Sequence, residues 1–249
     1  MKKPHTLAYT ISIFLLACIH LHAQDQGIEP TGDIEIGTQA ESQDSIPAAF
    51  RQKYGLRIGA DLSKFIRTAL DENYSGFQIV GDYRWNKDYY IAAELGNETR
   101  TSVENTFTAE TSGSYIKAGF NYNAYENWYG MQNLIYVGMR AGFSSFKSNL
   151  GEYTIYTTNP YFDPDVRPGG LEYTGLNATW LELQIGVQAE LFNNLYLGIN
   201  VQLKRLITDK VPDGFDNLFI PGFNKVTTAS RFGTGYGYTL TYLIPIYKK

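Results

Sequence analysis

The most regular pattern in the sequence is the alternation of apolar and polar residues over positions 180–204, on both sides of Asn193 and Asn194. Because successive side chains of a β-strand point to opposite faces, this pattern predicts a hairpin with one apolar and one polar face. The apolar face comprises Leu181, Leu183, Ile185, Val187, Ala189, Leu191, Leu195, Leu197, Ile199, Val201 and Leu203. The polar face comprises Glu182, Gln184, Gln188, Glu190, Asn200, Gln202 and Lys204. Each strand has about 11 residues, the length that crosses a bilayer at the usual barrel tilt, so the hairpin predicts membrane-crossing β structure.

The same alternation recurs along the chain and predicts eight strands in all. Besides the hairpin, the candidates lie near residues 54–63, 74–85, 89–98, 113–123, 133–145 and 229–244. The connections after the second, fourth and sixth strands are short and the others are longer, with 146–177 and 209–228 the longest. Short periplasmic turns and long external loops are typical of outer-membrane barrels. We therefore predict an all-β fold, an eight-stranded antiparallel up-and-down transmembrane β-barrel with both termini in the periplasm.

The beginning of the chain has the features of an export signal. Lys2 and Lys3 precede a mostly apolar run over residues 7–21, and Ala23 supplies the small residue before cleavage. This arrangement predicts a secretory signal peptide over residues 1–23, and hence an outer-membrane location for the barrel. The alternative is a lipoprotein signal in which Cys18 is acylated.

Two further domains follow the predicted signal peptide. Residues 24–53 are acidic and poor in apolar side chains, so they predict a flexible periplasmic arm. Residues 54–249 hold the strand candidates and form the predicted barrel.

Composition agrees with a barrel that faces lipid. Aromatic residues make up 15% of the chain, with 20 Tyr, and Tyr and Trp collect where a membrane meets water. The net charge of −4 gives no reason to expect a nucleic-acid partner. The expected partners are outer-membrane lipid, the barrel-assembly machinery during insertion, and an unidentified surface or periplasmic protein.

The alternative fold is a soluble sandwich or lipocalin-like barrel, in which the apolar face would point inward.

The polar face carries equal numbers of acidic and basic residues. The acids are Asp61, Asp82, Glu94, Glu98, Glu182 and Glu190, and the bases are Arg57, Arg84, Lys117, Arg140, Lys204 and Arg231. Eight strands enclose an interior that side chains fill, so charges placed there must pair. We predict a structural network of paired charges in the lumen rather than an ion-selective pore.

Residue types also limit the chemistry. His5, His20, His22 and Cys18 all lie in the predicted signal peptide, so the mature chain would contain no His and no Cys. This excludes His- or Cys-dependent catalysis and His-containing metal sites, and we expect no enzyme activity, no cofactor and no metal. The remaining catalytic alternative is a carboxylate pair such as Glu94 with Glu182.

Three weaker patterns are compatible with binding. Oxygen ligands alternate at Asn159, Asp163 and Asp165, a pattern that can bind Ca²⁺ but lacks EF-hand spacing. Residues 233–237 (GTGYG) share only their glycines with a phosphate-binding loop. Aromatic residues of the two longest connections predict either a contact surface or an external cap of packed loops: Tyr153, Tyr156, Tyr161, Phe162, Tyr173, Phe215, Phe219 and Phe223.

Five further segments have a recognisable sequence: residues 55–64 (GLRIGADLSK), 81–84 (GDYR), 92–98 (AAELGNE), 113–123 (GSYIKAGFNYN) and 126–131 (ENWYGM). Together they resemble a family of uncharacterised outer-membrane barrel proteins of Bacteroidota. The resemblance covers roughly residues 50–246 and implies a barrel without an assigned activity. The chain ends in IYKK, where Tyr247 takes the place of the usual terminal aromatic residue.

A non-enzymatic role follows as the expectation: membrane integrity, surface contact or assembly with a partner. The alternatives are a small ligand-binding barrel or narrow pore and, after it, a carboxylate-dependent enzyme.

Overall fold

The computed structural model describes residues 53–125, 133–155, 165–212, 214, 216–225 and 230–248. In chain order its elements are β1 (Lys53–Asp61), α1 (Leu62–Leu70), β2 (Tyr74–Arg84), β3 (Tyr89–Val103), β4 (Phe107–Asn123), β5 (Leu134–Ile155), β6 (Asp165–Arg167), β7 (Leu171–Phe192), β8 (Leu195–Asp209), β9 (Phe219–Ile220), β10 (Asn224–Lys225) and β11 (Phe232–Lys248). The eight long strands pair in the order β1-β2-β3-β4-β5-β7-β8-β11, and β11 pairs again with β1. The predicted eight-stranded antiparallel up-and-down barrel is confirmed.

The barrel places apolar side chains outside and polar side chains inside. On β7, Gln184 is 2% exposed and its neighbour Ile185 is 53% exposed. Other outward apolar residues include Ile91, Phe120, Met139, Leu183, Val201 and Tyr242. Soluble barrels have the opposite arrangement, with the apolar face in the core, so the lipocalin-like alternative does not describe this molecule.

Most outward apolar residues lie on the chain-terminal side of a row of paired residues that runs across five strands. Beyond this row, outward apolar residues such as Phe77 are fewer. Ala60 pairs with Ile79, Ile79 with Leu95, Leu95 with Ile116, and Ile116 with Phe143. We call this row the belt edge, and the outward apolar surface that extends from it toward the chain termini the belt.

The polarity of the two faces reverses at the belt edge. Within the belt, β5 points Met139 outward and Arg140 inward. Beyond Phe143, it points Phe146 inward and Lys147 outward. The strands therefore continue past the belt as a structure with an apolar interior and a polar exterior, which is the arrangement of a protein in water.

The strands are longer than predicted. β5 and β7 have 22 residues each, about twice the length that crosses a bilayer. The predicted long connection between the third and fourth strands is wrong, because β3 and β4 continue toward each other and only residues 104–106 join them. Most of the predicted loop over 146–177 is likewise strand, in β5, β6 and β7.

The segment after β1 is a helix and not the end of a strand. The first strand was predicted to reach residue 63, but it ends at Asp61, whose side chain accepts a hydrogen bond from the Ser63 backbone N–H at 2.9 Å. This side chain caps the N-terminus of α1. The apolar residues of α1 recur at helical spacing, at positions 62, 65, 66, 69 and 70. Among the described residues, no helix has the length and hydropathy needed to cross a membrane.

The predicted signal peptide, residues 1–23, lies outside the described residues. The predicted arm, residues 24–53, does so too except for Lys53, which begins β1.

Candidate functional site

A buried network of charges lies inside the middle of the barrel. The Glu94 carboxylate contacts Lys117 Nζ at 2.8 Å and Arg140 Nε at 3.3 Å. Lys117 also contacts Glu182, at 3.4 Å, and the Gln184 amide donates to both carboxylates, at 3.2 Å to Glu94 and 2.6 Å to Glu182. β3, β4, β5 and β7 each contribute one of the charged residues, so the network spans the lumen.

A second charged group lies toward the chain termini. Arg57 Nε donates to Asp82 at 2.7 Å, and the Arg57 guanidinium lies 4.7 Å from the centre of the Tyr90 ring and 5.5 Å from that of Tyr196. Arg84 contacts the Tyr54 ring in the same way, at 4.7 Å. Stacking on aromatic faces stabilises guanidinium groups that water does not reach.

A third group surrounds Glu98, which is fully buried at the belt-edge end of the lumen. Its carboxylate accepts hydrogen bonds from the Tyr74 hydroxyl at 3.0 Å and from the backbone N–H of Gly222 at 2.9 Å. Lys64 of α1 approaches it to 2.5 Å. Glu98 therefore joins three separate parts of the chain: the barrel wall, α1 and the connection between β8 and β11.

The connection between β8 and β11 folds into the barrel mouth as a plug, which we define as residues 219–223. Phe219, Ile220 and Phe223 are at most 1% exposed. Ile220 and Phe223 pack with inward side chains of the strands at and beyond the belt edge: Tyr115, Phe146, Leu176, Ala178, Trp180 and Leu206. The Arg100 guanidinium lies 5.8 Å from the centre of the Phe219 ring. The turn of the plug is fixed on both sides, because the Gly222 N–H donates to Glu98 and its carbonyl accepts from Lys204 Nζ at 2.8 Å.

Only Gly fits at the tip of this plug. Gly222 has φ of +81°, and a Cβ there would lie 2.6 Å from Cγ of Tyr115. The left-handed conformation disfavours any other residue, and the ring leaves no room for a side chain.

The described part of the lumen contains a small cavity. A polar cavity of about 40 Å³ lies between Glu94, Arg140, Gln184 and Asn200. Such a volume holds a few water molecules, whereas pockets for small-molecule ligands measure roughly 300 Å³ or more.

Eleven of the twelve charged residues predicted for the lumen lie on the inner face of the barrel. Nine of these are buried: Arg57, Asp61, Arg84, Glu94, Glu98, Lys117, Arg140, Glu182 and Lys204. Asp82 and Glu190 are partly exposed, with 12% and 14% side-chain exposure. The prediction for Arg231 is wrong, because it precedes β11, its side chain is 57% exposed, and it pairs with Asp209 at 3.3 Å.

Sequence reasoning missed several residues of the site. Lys64 is on α1 and was not assigned to any face, while Tyr74 precedes the part of β2 where alternation is clear. The inward position of Tyr115 and Trp180 follows from the alternation itself, since both share parity with inward polar residues. Of their partners in the plug, Phe223 was among the aromatic residues noted in the longest connections, but no pattern placed it inside the barrel mouth.

The three weaker binding patterns noted in the sequence lie only partly within the residues that the structure describes. Asp165 pairs with Arg167 at 2.8 Å on the exposed β6, and Asn159 and Asp163 lie outside the described residues. Residues 233–237 are an ordinary part of β11. Phe219 and Phe223 are buried in the plug, so they do not form an exposed contact surface. Phe223 belongs to the buried cluster on which Tyr173 packs, as the alternative of packed connections predicts. Tyr153 and Tyr173 are half-buried, and Tyr156, Tyr161, Phe162 and Phe215 lie outside the described residues.

The charged side chains of the lumen are already paired with one another, and this limits the chemistry they can perform. Glu94 and Glu182, the candidate carboxylate pair, share Lys117 and Gln184 as partners. In the described part of the chain, no group of His, Cys, Asp and Glu side chains is arranged to hold a metal ion.

Comparison with known proteins gives a family and a general similarity of fold. A family model described as a domain of unknown function (DUF6048) matches residues 6–249. No curated protein sequence matches the chain. Two crystal structures of Ail, the attachment invasion locus protein of Yersinia pestis, are similar at 13% and 14% identity, with TM-scores of 0.38 and 0.37. The second was determined with the heparin analogue sucrose octasulfate, and each alignment covers 77% of this chain and 97% of Ail.

Proposed function

We propose that this chain, which belongs to the DUF6048 family of domains of unknown function, is an integral outer-membrane barrel with a non-enzymatic role carried by its external surface. The observation that carries the proposal is the reversal of polarity at the belt edge. The same strand, β5, presents Met139 and Phe143 outward on one side of that edge and Lys147 outward beyond it.

A change of solvent along the strand explains this reversal. Side chains on the outer face are apolar where hydrocarbon surrounds the barrel and polar where water does. A barrel in water alone would expose the whole belt at a large cost in free energy, since each exposed Leu or Ile side chain forgoes roughly 1.5–3 kcal/mol of burial.

The filled interior argues against a role in transport or catalysis. The network around Glu94 and Lys117 spans the lumen, and the plug closes one end above it. The lumen cavity of about 40 Å³ and the cavity of about 180 Å³ between α1 and β11 are both smaller than usual ligand pockets, which opposes the alternative of a ligand-binding barrel or narrow pore. Both carboxylates of the candidate pair are engaged by cations, which opposes their use as an acid and a base.

The strand extensions are the surface that remains for function. Beyond the belt edge, β4, β5 and β7 present exposed polar side chains, among them Thr108, Glu110, Lys147, Asn149, Glu172 and Asn177. Lys147 and Glu172 pair across β5 and β7 at 3.1 Å. This polar outer face suits contact with another protein at the cell surface, whereas a nucleic acid would require a basic patch. We also propose that the N-terminal signal directs export of the chain and that the barrel-assembly machinery inserts it into the outer membrane.

Two neighbouring residues provide the test. Ile185→Arg places a charge on the outer face of the belt, where it costs about 2–4 kcal/mol near the bilayer midplane. Gln184→Arg places the same charge in the lumen beside Glu94 and Glu182. We expect the first variant to reduce the amount of folded protein in the outer-membrane fraction strongly, and the second to do so much less.

Cell fractionation and heat-modifiable gel mobility of the folded barrel measure both effects. Recovery of folded wild-type protein from the periplasmic soluble fraction, without detergent, would refute the membrane assignment. Equal impairment by the two variants would mean that the belt does not face lipid.

A further inference from the structure

Helix α1 is amphipathic, and its apolar side points away from the protein. Phe65, Ile66 and Leu70 are 49%, 51% and 80% exposed, and Leu62 and Ala69 share their side of the helix. Ser63, Lys64, Arg67 and Thr68 occupy the other side. A helix on the surface of a soluble protein turns its apolar side toward the core, so α1 has the same reversed polarity as the belt.

The polar side of α1 is bound to the barrel by specific contacts. Lys64 reaches Glu98 in the lumen, and the Arg67 guanidinium lies 4.0 Å from the centre of the Tyr74 ring. Thr68 Oγ1 accepts a hydrogen bond from the Gly76 N–H at 3.0 Å and also contacts the Gly76 carbonyl, at 3.3 Å. These contacts fix the rotation of the helix, so the apolar side cannot turn inward.

The helix takes the place of a strand in the barrel wall. β1 ends at Asp61, while β2 and β11 continue beyond the level at which β1 paired with both of them. α1 lies between the two continuing strands. Thr68 Oγ1 accepts a hydrogen bond from the backbone N–H of Gly76 on β2. The Asp61 carboxylate accepts one from the Tyr238 N–H on β11, at 3.1 Å.

This position puts the apolar side of α1 at the rim of the belt. Ala60, two residues before the helix begins, belongs to the belt edge together with its partner Ile79. On β11, the outward residues Tyr236 and Tyr238 lie near the start of the helix, because Tyr236 lines a cavity with Lys64 and the Tyr238 N–H donates to Asp61. The apolar surface therefore continues from the belt onto α1 without a polar interruption at Ala60.

We propose that α1 is an interfacial helix that docks its apolar side, formed by Phe65, Ile66, Ala69 and Leu70, into the acyl chains at the outer edge of the bilayer. The inference rests on the proposed function, because it requires that the belt face lipid. A short helix with a strongly apolar side and a basic polar side is the type that lies in the plane of a membrane interface. Continuity with the belt identifies the occupant as lipid rather than a second copy of the chain or another protein.

Site-directed spin labelling tests the proposal. The background is the full chain with Cys18→Ser, refolded into phospholipid vesicles, so that each added Cys carries the only nitroxide. Ile66→Cys and Leu70→Cys report on the helix, Ile185→Cys on the middle of the belt, and Glu110→Cys on the exposed polar face of β4. The ratio of accessibility to oxygen over accessibility to a water-soluble nickel chelate measures the depth of each label.

The expected ratio is highest at position 185, several-fold lower but clearly lipid-like at 66 and 70, and lowest at 110. A ratio at 66 and 70 equal to that at 110, with a lipid-like ratio at 185, would overturn the inference and leave the proposed function intact. Water-like ratios at all four positions would overturn both.

Two further outcomes identify other occupants. Dipolar broadening at 66 that disappears on dilution with unlabelled protein would assign the surface to a second copy. Labels at 66 and 70 shielded from both probes would mean that the helix packs against protein. Either result refutes docking to lipid.

Discussion

Glu98 illustrates how a single side chain holds distant parts of this barrel together. It is 0% exposed, it lies on β3, and it binds Lys64 of α1 and the Gly222 N–H of the plug. A carboxylate in this position would be costly without partners, because removal from water penalises the charged form by several kcal/mol. Its donors offset that cost, and in return their own positions depend on it.

We therefore predict that Glu98→Gln destabilises the folded barrel by about 3–5 kcal/mol, since it leaves the Lys64 ammonium buried without its counter-charge. Denaturant unfolding in detergent micelles, followed by Trp fluorescence, measures the change. Glu110→Gln, on an exposed part of β4, is the control and should change stability by less than about 0.5 kcal/mol. Similar stability of the two variants would argue against the buried ion pair.

At the scale of elements, the plug decides what the external end of the lumen contains. Its residues 219–223 enter the mouth between strand extensions whose inward side chains are apolar, such as Phe146 and Leu176. Without the plug these side chains would meet water, so the plug and the extensions form one small hydrophobic core beyond the belt edge. Trp180 and Phe223 meet edge-to-face in it, with ring centres 6.1 Å apart.

Substitutions at two glycines with similar backbone conformations distinguish the cost of disturbing this packing from the cost of the left-handed backbone. Gly222 and Gly214 have φ of +81° and +76°, but a Cβ at 222 collides with Tyr115 and one at 214 meets nothing within 4 Å. We expect Gly214→Ala to cost about 1–2 kcal/mol, from the left-handed conformation alone. Gly222→Ala should cost about 1–3 kcal/mol more, because the side chain overpacks the plug.

The same unfolding measurement compares these two variants, and hydrogen exchange at residues 219–223 localises the change. Equal destabilisation by both substitutions would mean that the plug does not pack on Tyr115.

At the scale of the whole molecule, closure of the lumen has two independent causes. The charged network around Glu94, Lys117 and Arg140 lies in the middle of the barrel, and the plug lies at one end. Eight strands enclose just enough space for such side chains to fill. Under the proposed function, the closed barrel supports in the membrane the strand extensions that project from it.

Single-channel recording in planar bilayers should accordingly show no steady open state for the wild-type protein. A variant in which residues 219–223 are replaced by Gly and Ser should also remain closed, because the paired charges still span the lumen. A reproducible conductance in the variant alone would show that the plug, and not the charges, closes the barrel. Conductance in both would contradict the filled interior.

Much of this architecture follows from the sequence. Neighbouring residues of a strand, such as Gln184 and Ile185, point to opposite faces because the backbone is extended. The alternation of polar and apolar residues therefore identifies each strand and its two faces from the local sequence. The apolar residues of 62–70 also have helical spacing after the capping residue Asp61, but the predicted first strand covers only residues 62 and 63 of this helix and the rest falls in a predicted connection.

The partners of the buried side chains were decided by the tertiary structure. Which carboxylate meets Lys117, whether Lys64 reaches Glu98, and whether residues 219–223 turn inward all depend on the register of eight strands and on closure of the ring. These are contacts between residues far apart in the chain, and composition or spacing along the chain carries no information about them. The sequence by itself determined which face of each strand is apolar, because that is a local property. The tertiary structure decided what fills the interior, because only ring closure brings those side chains within reach of one another.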